Sequence, residues 1–142
     1  MKKIYETDSA SKTLELGRLF GASAKPGTVF ALTGDLGTGK TVFTKGLAEG
    51  LGITEPVTSP TFTIVQTYDG GRLPFWHFDV YRIGDIEEME EIGYEDAFYG
   101  EGVSLVEWAE IVEDLLPENT VRVTIEKDPE KGTEYRKITV CD

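Results

Sequence analysis

The run Gly34-Asp35-Leu36-Gly37-Thr38-Gly39-Lys40-Thr41 matches the pattern G-x-x-x-x-G-K-[ST], and a loop of that pattern has to leave a strand and enter a helix. Both neighbours are present. Thr28-Val29-Phe30-Ala31-Leu32-Thr33 is β-branched and aromatic, and Thr41 to Ala48 carries apolar positions at helical spacing. The glycines can adopt backbone conformations closed to other residues, so successive N–H groups can turn inward around an anion. Phosphates bound there meet the positive end of the helix dipole. Lys40 is a compact charge able to reach the β- and γ-phosphates, and the Thr41 hydroxyl is spaced to become a ligand of Mg²⁺. Val42, the next residue into the helix, belongs with the loop as a nucleotide-contact position. The implied ligand is a nucleoside triphosphate, ATP or ADP in its resident states, with Mg²⁺.

The 142 residues are expected to form one domain, 1–142, large enough to bury a sizeable core. With 14 Lys+Arg against 26 Asp+Glu the net charge is −12, which opposes direct capture of a polyanion. Any contact with nucleic acid should be indirect. No Lys or Arg occurs from Ile83 to Val121, where half of the acidic residues fall. This stretch reads as a solvated helical face, or as a docking surface for a basic partner. Cys141 is the one cysteine, so an internal disulfide and a multi-cysteine metal site are excluded. No apolar run approaches the ~20 residues of a membrane span, and the expected location is the cytoplasm.

Lys2 to Glu6 predicts an edge strand, and Thr7-Asp8-Ser9 supplies cap candidates for an amphipathic helix over about residues 9–23, with Leu14, Leu16, Leu19 and Phe20 near its apolar face. Lys25-Pro26-Gly27 ends it. After the nucleotide loop and its helix, residues 54–60 form a polar loop. Strands follow at Phe62–Tyr68 and Phe75–Tyr81, joined by Asp69-Gly70-Gly71-Arg72 as an antiparallel hairpin. Short helices are expected around 86–89 and 94–99, then a buried strand at Val103–Val106, a helix from Trp108 to about Leu115, and closing strands at 121–126 and 135–140. The fold class is α/β, a P-loop NTPase-like three-layer sandwich whose mixed sheet is parallel near the nucleotide and antiparallel at its edges.

Hydrolysis needs a carboxylate near the metal and a group that orients water. Alternation in the aromatic strand sets His77, Asp79 and Tyr81 on one face and Trp76, Phe78 and Val80 on the other. Asp79 is therefore a candidate for the metal-side carboxylate, the alternative being an edge residue facing solvent. Glu107 ends the strand 103–106, and the C-terminal ends of parallel strands converge on the ligand crevice of open α/β sheets. Its alternative is a Glu capping the helix that follows. Thr61 sits on the loop after the P-loop helix, where it reads either as a hydroxyl sensing the γ-phosphate or as an ordinary turn residue. His77, the one histidine, reads as a packing or hydrogen-bonding residue.

Four motifs in order, Gly34 to Thr41, Ser59-Pro60-Thr61-Phe62, His77-Phe78-Asp79-Val80-Tyr81-Arg82 and Leu105-Val106-Glu107-Trp108, resemble the TsaE (YjeE) family over nearly the whole chain. That resemblance implies a small bacterial P-loop ATPase serving formation of N6-threonylcarbamoyladenosine in tRNA, at the adenosine 3′ to the anticodon. The partners it implies are the proteins TsaB and TsaD, with nucleotide-dependent docking to their heterodimer; tRNA is expected to be met only indirectly, and the sequence leaves self-association open, a monomer being the expected state. It also implies that Lys40 and the loop amides hold phosphates, that Thr41 and Glu107 coordinate Mg²⁺, and that Asp79 supports the metal and water network. Trp108 matches the family's tryptophan beside the site and Thr61 its switch threonine. The chain departs from many relatives at Lys131-Gly132-Thr133-Glu134, where they carry Gly-Arg, and this bears on any nucleotide contact from Thr133.

Other functions fit less well. Asn119 is the one asparagine, so no N-K-x-D guanine-reading element exists, and residues 79–82 lack the glycine of a D-x-x-G switch. A small-metabolite kinase would be expected to bring several arginines to the transferring phosphoryl group, whereas Arg18, Arg72, Arg82, Arg122 and Arg136 are scattered. A nucleotide-gated adaptor with incidental hydrolysis is the non-enzymatic alternative.

Overall fold

The computed structural model describes residues 1–34, 38–58, 60 and 64–142. Seven strands form one sheet: β1 (Lys2–Thr7), β2 (Val29–Gly34), β3 (Val65–Tyr68), β4 (Phe75–Asp79), β5 (Val103–Glu107), β6 (Val121–Lys127) and β7 (Arg136–Cys141). Their spatial order is β1-β7-β6-β2-β5-β4-β3. The central four, β6, β2, β5 and β4, run parallel, while β3 on one side and β7 and β1 on the other are antiparallel additions. The mixed α/β sheet is thus the one expected from sequence. The inner strands β2 and β5 are nearly continuous apolar runs, as burial on both faces requires, and the edge strand β1 carries exposed Lys2 and Lys3.

Two cores occupy the two faces. On one, α1 (Ala10–Ser23) and α2 (Lys40–Gly50) pack Leu16, Phe43, Leu47 and Leu51 against Phe30, Phe75, Leu105, Val123 and Ile125. On the other, α3 (Glu87–Glu91), α4 (Tyr94–Phe98) and the 3₁₀ segment Ala109–Leu115 bury Met89, Ala97, Phe98, Ala109 and Val112 against Val29, Ala31, Phe78, Val80 and Val106. Each fully buried Leu or Phe contributes about 1.5–3 kcal/mol. The acidic 83–121 stretch forms this second layer. Met89, Ala97, Phe98, Ala109 and Val112 point inward, Ile86, Tyr99, Trp108 and Ile111 remain exposed, and Asp85, Glu87, Glu95, Asp96, Glu101, Glu110, Glu113 and Asp114 are exposed as expected of a solvated face.

Ser9 caps α1 through its hydroxyl, which accepts from the Lys12 N–H at 3.2 Å. The buried face of α1, however, is Thr13, Leu16, Gly17 and Gly21, and Leu19, expected among its apolar residues, is 67% exposed. The reason is a glycine seam. A Cβ on Gly17 or Gly21 would overlap the carbonyl oxygen of Phe43 or Leu47 in α2, and one on Gly46 or Gly50 would overlap that of Leu14 or Arg18 in α1. The two helices meet backbone to backbone, closer than larger side chains permit.

Three further expectations are corrected. The strand ahead of the hairpin begins at Val65 rather than residue 62, and residues 62 and 63 lie outside the described set. The strand after the hairpin stops at Asp79 rather than Tyr81. The segment after Trp108 is a 3₁₀ helix, broken at Val112 (φ −119°), not a regular helix. Arg72, expected only as part of the hairpin turn, closes the C-terminus of α1 by donating to the carbonyls of Gly21, Ala22 and Ala24 at 2.7–3.0 Å.

Candidate functional site

Strand register assembles the site. Leu32 on β2 pairs with Glu107 on β5, and Glu107 pairs with Asp79 on β4, so three parallel strands finish side by side at one edge of the sheet. From that edge β2 runs into the glycine-rich loop, and α2 starts at Lys40. This is the C-terminal edge, where open α/β sheets form their ligand crevices. A cleft of about 500 Å³ opens there, lined by Thr38, Gly39, Lys40, Thr41 and Val42 from the loop and helix and by Asp79, Glu107 and Trp108 from the strand ends. All eight were singled out from sequence. Gly34 lies just behind, at the end of β2, while Asp35, Leu36, Gly37 and Thr61 lie outside the described residues.

Four further lining residues are not among the site candidates of the sequence: Ala10 and Thr13 on α1, Glu134, and Arg136 on β7. Arg136 donates from Nε to the Thr38 carbonyl at 2.8 Å and from a terminal nitrogen to the Thr133 and Tyr135 carbonyls. It ties β7 to the loop across 98 residues of chain. In the 131–134 turn it is Glu134, not Thr133, that lines the cleft.

The two described loop glycines are needed for different reasons. Gly39 has φ +98°, a conformation that L side chains rarely adopt. Gly34 has no positive φ, but a Cβ on it would stand 2.7 Å from the Thr38 hydroxyl and 2.9 Å from the Ile125 carbonyl. Lys40 forms no ion pair among the described residues, and its ammonium lies 5.3 Å above the Trp108 ring. Trp108 in turn contacts Tyr81 at 4.7 Å between ring centroids. Its own backbone is left-handed, φ 63° and ψ 34°, an outlier for a bulky side chain that costs about 1–3 kcal/mol.

The two carboxylates differ in setting. Asp79 is half-buried, and its Oδ1 accepts from the Tyr81 N–H at 3.1 Å, which fixes the turn leaving β4. Glu107 is buried, 8% exposed, and Oε2 lies 2.9 Å from Nε2 of His77. The solvent-facing capping role for Glu107 is thereby excluded. One of its oxygens is engaged by His77 while the residue lines the cleft, which leaves the other for a ligand. Among the described residues no three His, Cys, Asp or Glu side chains gather into a metal cage. A cation of the Mg²⁺ type does not need one, since it is commonly held by one or two carboxylates together with phosphate oxygens and water. The hard oxygen donors of Thr41, Asp79 and Glu107 fit that requirement, and Lys40 suits the anionic ligand that would come with it.

A mixed sheet with a parallel centre covered on both faces, with a G-x-x-x-x-G-K-T sequence and two strand-end carboxylates in one cleft, belongs to the class of α/β proteins built around a phosphate-loop sequence. Within that class the chain belongs to the TsaE family: the family model described as "Threonylcarbamoyl adenosine biosynthesis protein TsaE" matches residues 7–138. Among its relatives is the tRNA threonylcarbamoyladenosine biosynthesis protein TsaE of Bacillus subtilis (strain 168), 48% identical over 140 residues, covering 98% of this chain and 85% of the relative. The protein of the same name from Treponema pallidum (strain Nichols) is 46% identical over 117 residues, 82% of this chain and 86% of its own length. In three dimensions the chain matches the crystal structure of Bacillus YdiB with a TM-score of 0.84 at 42% identity, covering 99% of this chain and 84% of that one. No helix among the described residues is long and apolar enough to cross a membrane.

Proposed function

We propose that this protein binds and hydrolyses ATP with Mg²⁺ and that it serves tRNA N6-threonylcarbamoyladenosine formation by acting on the TsaB–TsaD heterodimer. The pathway is supported by family membership, since a relative 48% identical carries that biosynthetic name. The chemistry is supported above all by one observation: Asp79 and Glu107 are register partners at the ends of adjacent parallel strands and line the same cleft as Lys40 and Thr41.

In this reading the amides of the 34–41 loop and the Lys40 ammonium hold the phosphates. Thr41 and Glu107 supply oxygen ligands to Mg²⁺, which when bound neutralises charge on the phosphate oxygens. Asp79 orients water beside the metal. Trp108 covers the Lys40 side of the cleft, and Thr61 keeps the role of a switch hydroxyl sensing the γ-phosphate. Ala10 and Thr13 at the start of α1 also line the cleft and bound the space left for the nucleoside. The exposed acidic layer of residues 83–121 suits a protein partner with a basic surface better than it suits RNA.

The test is ATP turnover with and without the partner heterodimer, together with tRNA modification by the reconstituted set. Turnover that is slow alone, rises with TsaB–TsaD and disappears in Lys40→Ala is the expected result. Normal tRNA modification by Lys40→Ala would refute the site. ATP-dependent docking that leaves pathway function intact in a hydrolysis-dead Glu107→Ala would identify an adaptor instead, and phosphorylation of a small metabolite a kinase.

A further inference from the structure

His77 is 2% exposed in the α/β core, a costly position for a polar ring unless its nitrogens are used. One nitrogen is: Nε2 lies 2.9 Å from Glu107 Oε2. The other is not, because Nδ1 is buried with no hydrogen-bond partner among the described residues. Phe75 stacks on the ring at 6.1 Å between centroids and 16° between planes, so its orientation is held from the side. The arrangement follows from register. His77 pairs with Leu105, two residues before Glu107, so both side chains rise from the same face on neighbouring strands.

We propose that His77 is a positioning residue for Glu107, holding its carboxylate in the orientation that presents the free oxygen to a Mg²⁺–nucleotide in the cleft; this rests on the Mg²⁺-site reading of Glu107 given above. The geometry also points to a tautomer. An unprotonated Nε2 would set a lone pair against a carboxylate oxygen 2.9 Å away, whereas a proton on Nε2 is donated to Glu107; Nδ1 has no bonding partner among the described residues, so nothing there competes for that proton. Partners of this kind behind a metal ligand commonly alter metal affinity or activity by 10–100-fold.

Two substitutions separate the hydrogen bond from the packing. His77→Phe keeps the stack on Phe75 and deletes the donor, whereas His77→Gln loses the ring but its amide reaches the position of Nε2. For each variant, and for Glu107→Gln, ADP binding is measured by calorimetry across a Mg²⁺ titration, alongside ATP turnover and a melting curve. His77→Phe is expected to raise the Mg²⁺ concentration needed for half-maximal binding about tenfold, with ADP affinity in the absence of Mg²⁺ unchanged, and His77→Gln to stay within about threefold of the parent. Because the chain has one histidine, its ring nitrogens can be read without ambiguity by long-range ¹H–¹⁵N correlation. The expected spectrum is that of the Nε2–H tautomer, shifted by Glu107→Gln.

A folded His77→Phe with the parent's Mg²⁺ requirement, or a His77→Gln that loses it, would overturn the positioning role while leaving the site reading intact wherever Glu107→Gln is impaired. An Nδ1–H tautomer in the parent protein would overturn it even if His77→Phe did not fold. If Glu107→Gln itself left both the Mg²⁺ requirement and turnover unchanged, the site reading would fall and the positioning role with it.

Discussion

Replacing Gly46 by Ala tests whether the contact between α1 and α2 sets the width of the cleft. A Cβ at this position would overlap the Leu14 carbonyl oxygen and stand 3.1 Å from the Leu14 carbonyl carbon and the Arg18 nitrogen, all of them backbone atoms. No side chain can rotate away, so the helices must separate by roughly 1 Å to restore ordinary contact. Overpacking of this kind costs about 1–3 kcal/mol, and the better helix propensity of Ala returns at most ~1. A net loss of about 1–2 kcal/mol is expected, or a fall of about 3–8 °C in Tm. The effect should reach the site, because Ala10 and Thr13 on α1 line the same cleft as Lys40 and Thr41 on α2. A displacement of that size between two walls of a reaction site costs on the order of 10–100-fold in turnover. Thermal melts and ATP turnover are compared with Gly84→Ala, where the nearest atom to an added Cβ is the end of the Glu88 side chain at 3.7 Å and no cost beyond about 0.5 kcal/mol is expected. A Gly46→Ala protein as stable and as active as Gly84→Ala would refute the reasoning.

Trp108→Gly should be more stable than Trp108→Ala by about 0.5–1 kcal/mol in denaturant melts: both lose the ring contacts, but only Ala must still hold φ near +63°. An Ala variant at least as stable would remove the strain argument. Arg72→Ala should cost about 1–2 kcal/mol by exposing three unpaired carbonyls at the end of α1, read as a drop in Tm with turnover per folded molecule unchanged. ATP binding should draw the Lys40 ammonium off the Trp108 ring and alter tryptophan emission in the parent protein but not in Trp108→Phe, where Trp76 alone would report. A signal that persists in Trp108→Phe would show that the ring does not sense the lysine.

What could be read from the chain was local in sequence. The loop pattern, the Ser9 cap, the alternation at 75–79 and the run Val103-Ser104-Leu105-Val106 each depend on residues within a turn or a pleat of one another. The long-range pairings explain the misses. Arg136 reaches the loop from the last strand, and nothing in Tyr135 to Val140 distinguishes it from any strand arginine. Hydrophobicity alone groups Leu19 with the apolar face of α1. The helix instead turns its glycines inward, so the informative spacing was Gly17 to Gly21 and Gly46 to Gly50, with small size rather than apolarity as the signal. His77 was legible in part: alternation set it on the face of Asp79, but its bond to Glu107 needs the parallel pairing of β4 with β5, and no single strand contains that.

That pairing also explains why one set of apolar residues serves both fold and site. Phe78 and Val106 enter the core beneath α3 and α4, and Phe75 and Leu105 enter the one beneath α1 and α2. Because pleat alternation has a period of two, this burial pattern excludes a one-residue slip, and the observed register ends both strands with a carboxylate on the face of α2. A slip of one residue in β5 would drive Glu107 into the apolar cluster of Phe98 and Val112 and leave Leu105 on the wrong face. The cost of burying an unpaired carboxylate there, added to the lost apolar burial, opposes the slip more strongly than either alone. The carboxylates are therefore aimed by the same packing that makes the sheet cooperative, and substitutions at Phe78 or Val106 should damage turnover in proportion to the stability they remove.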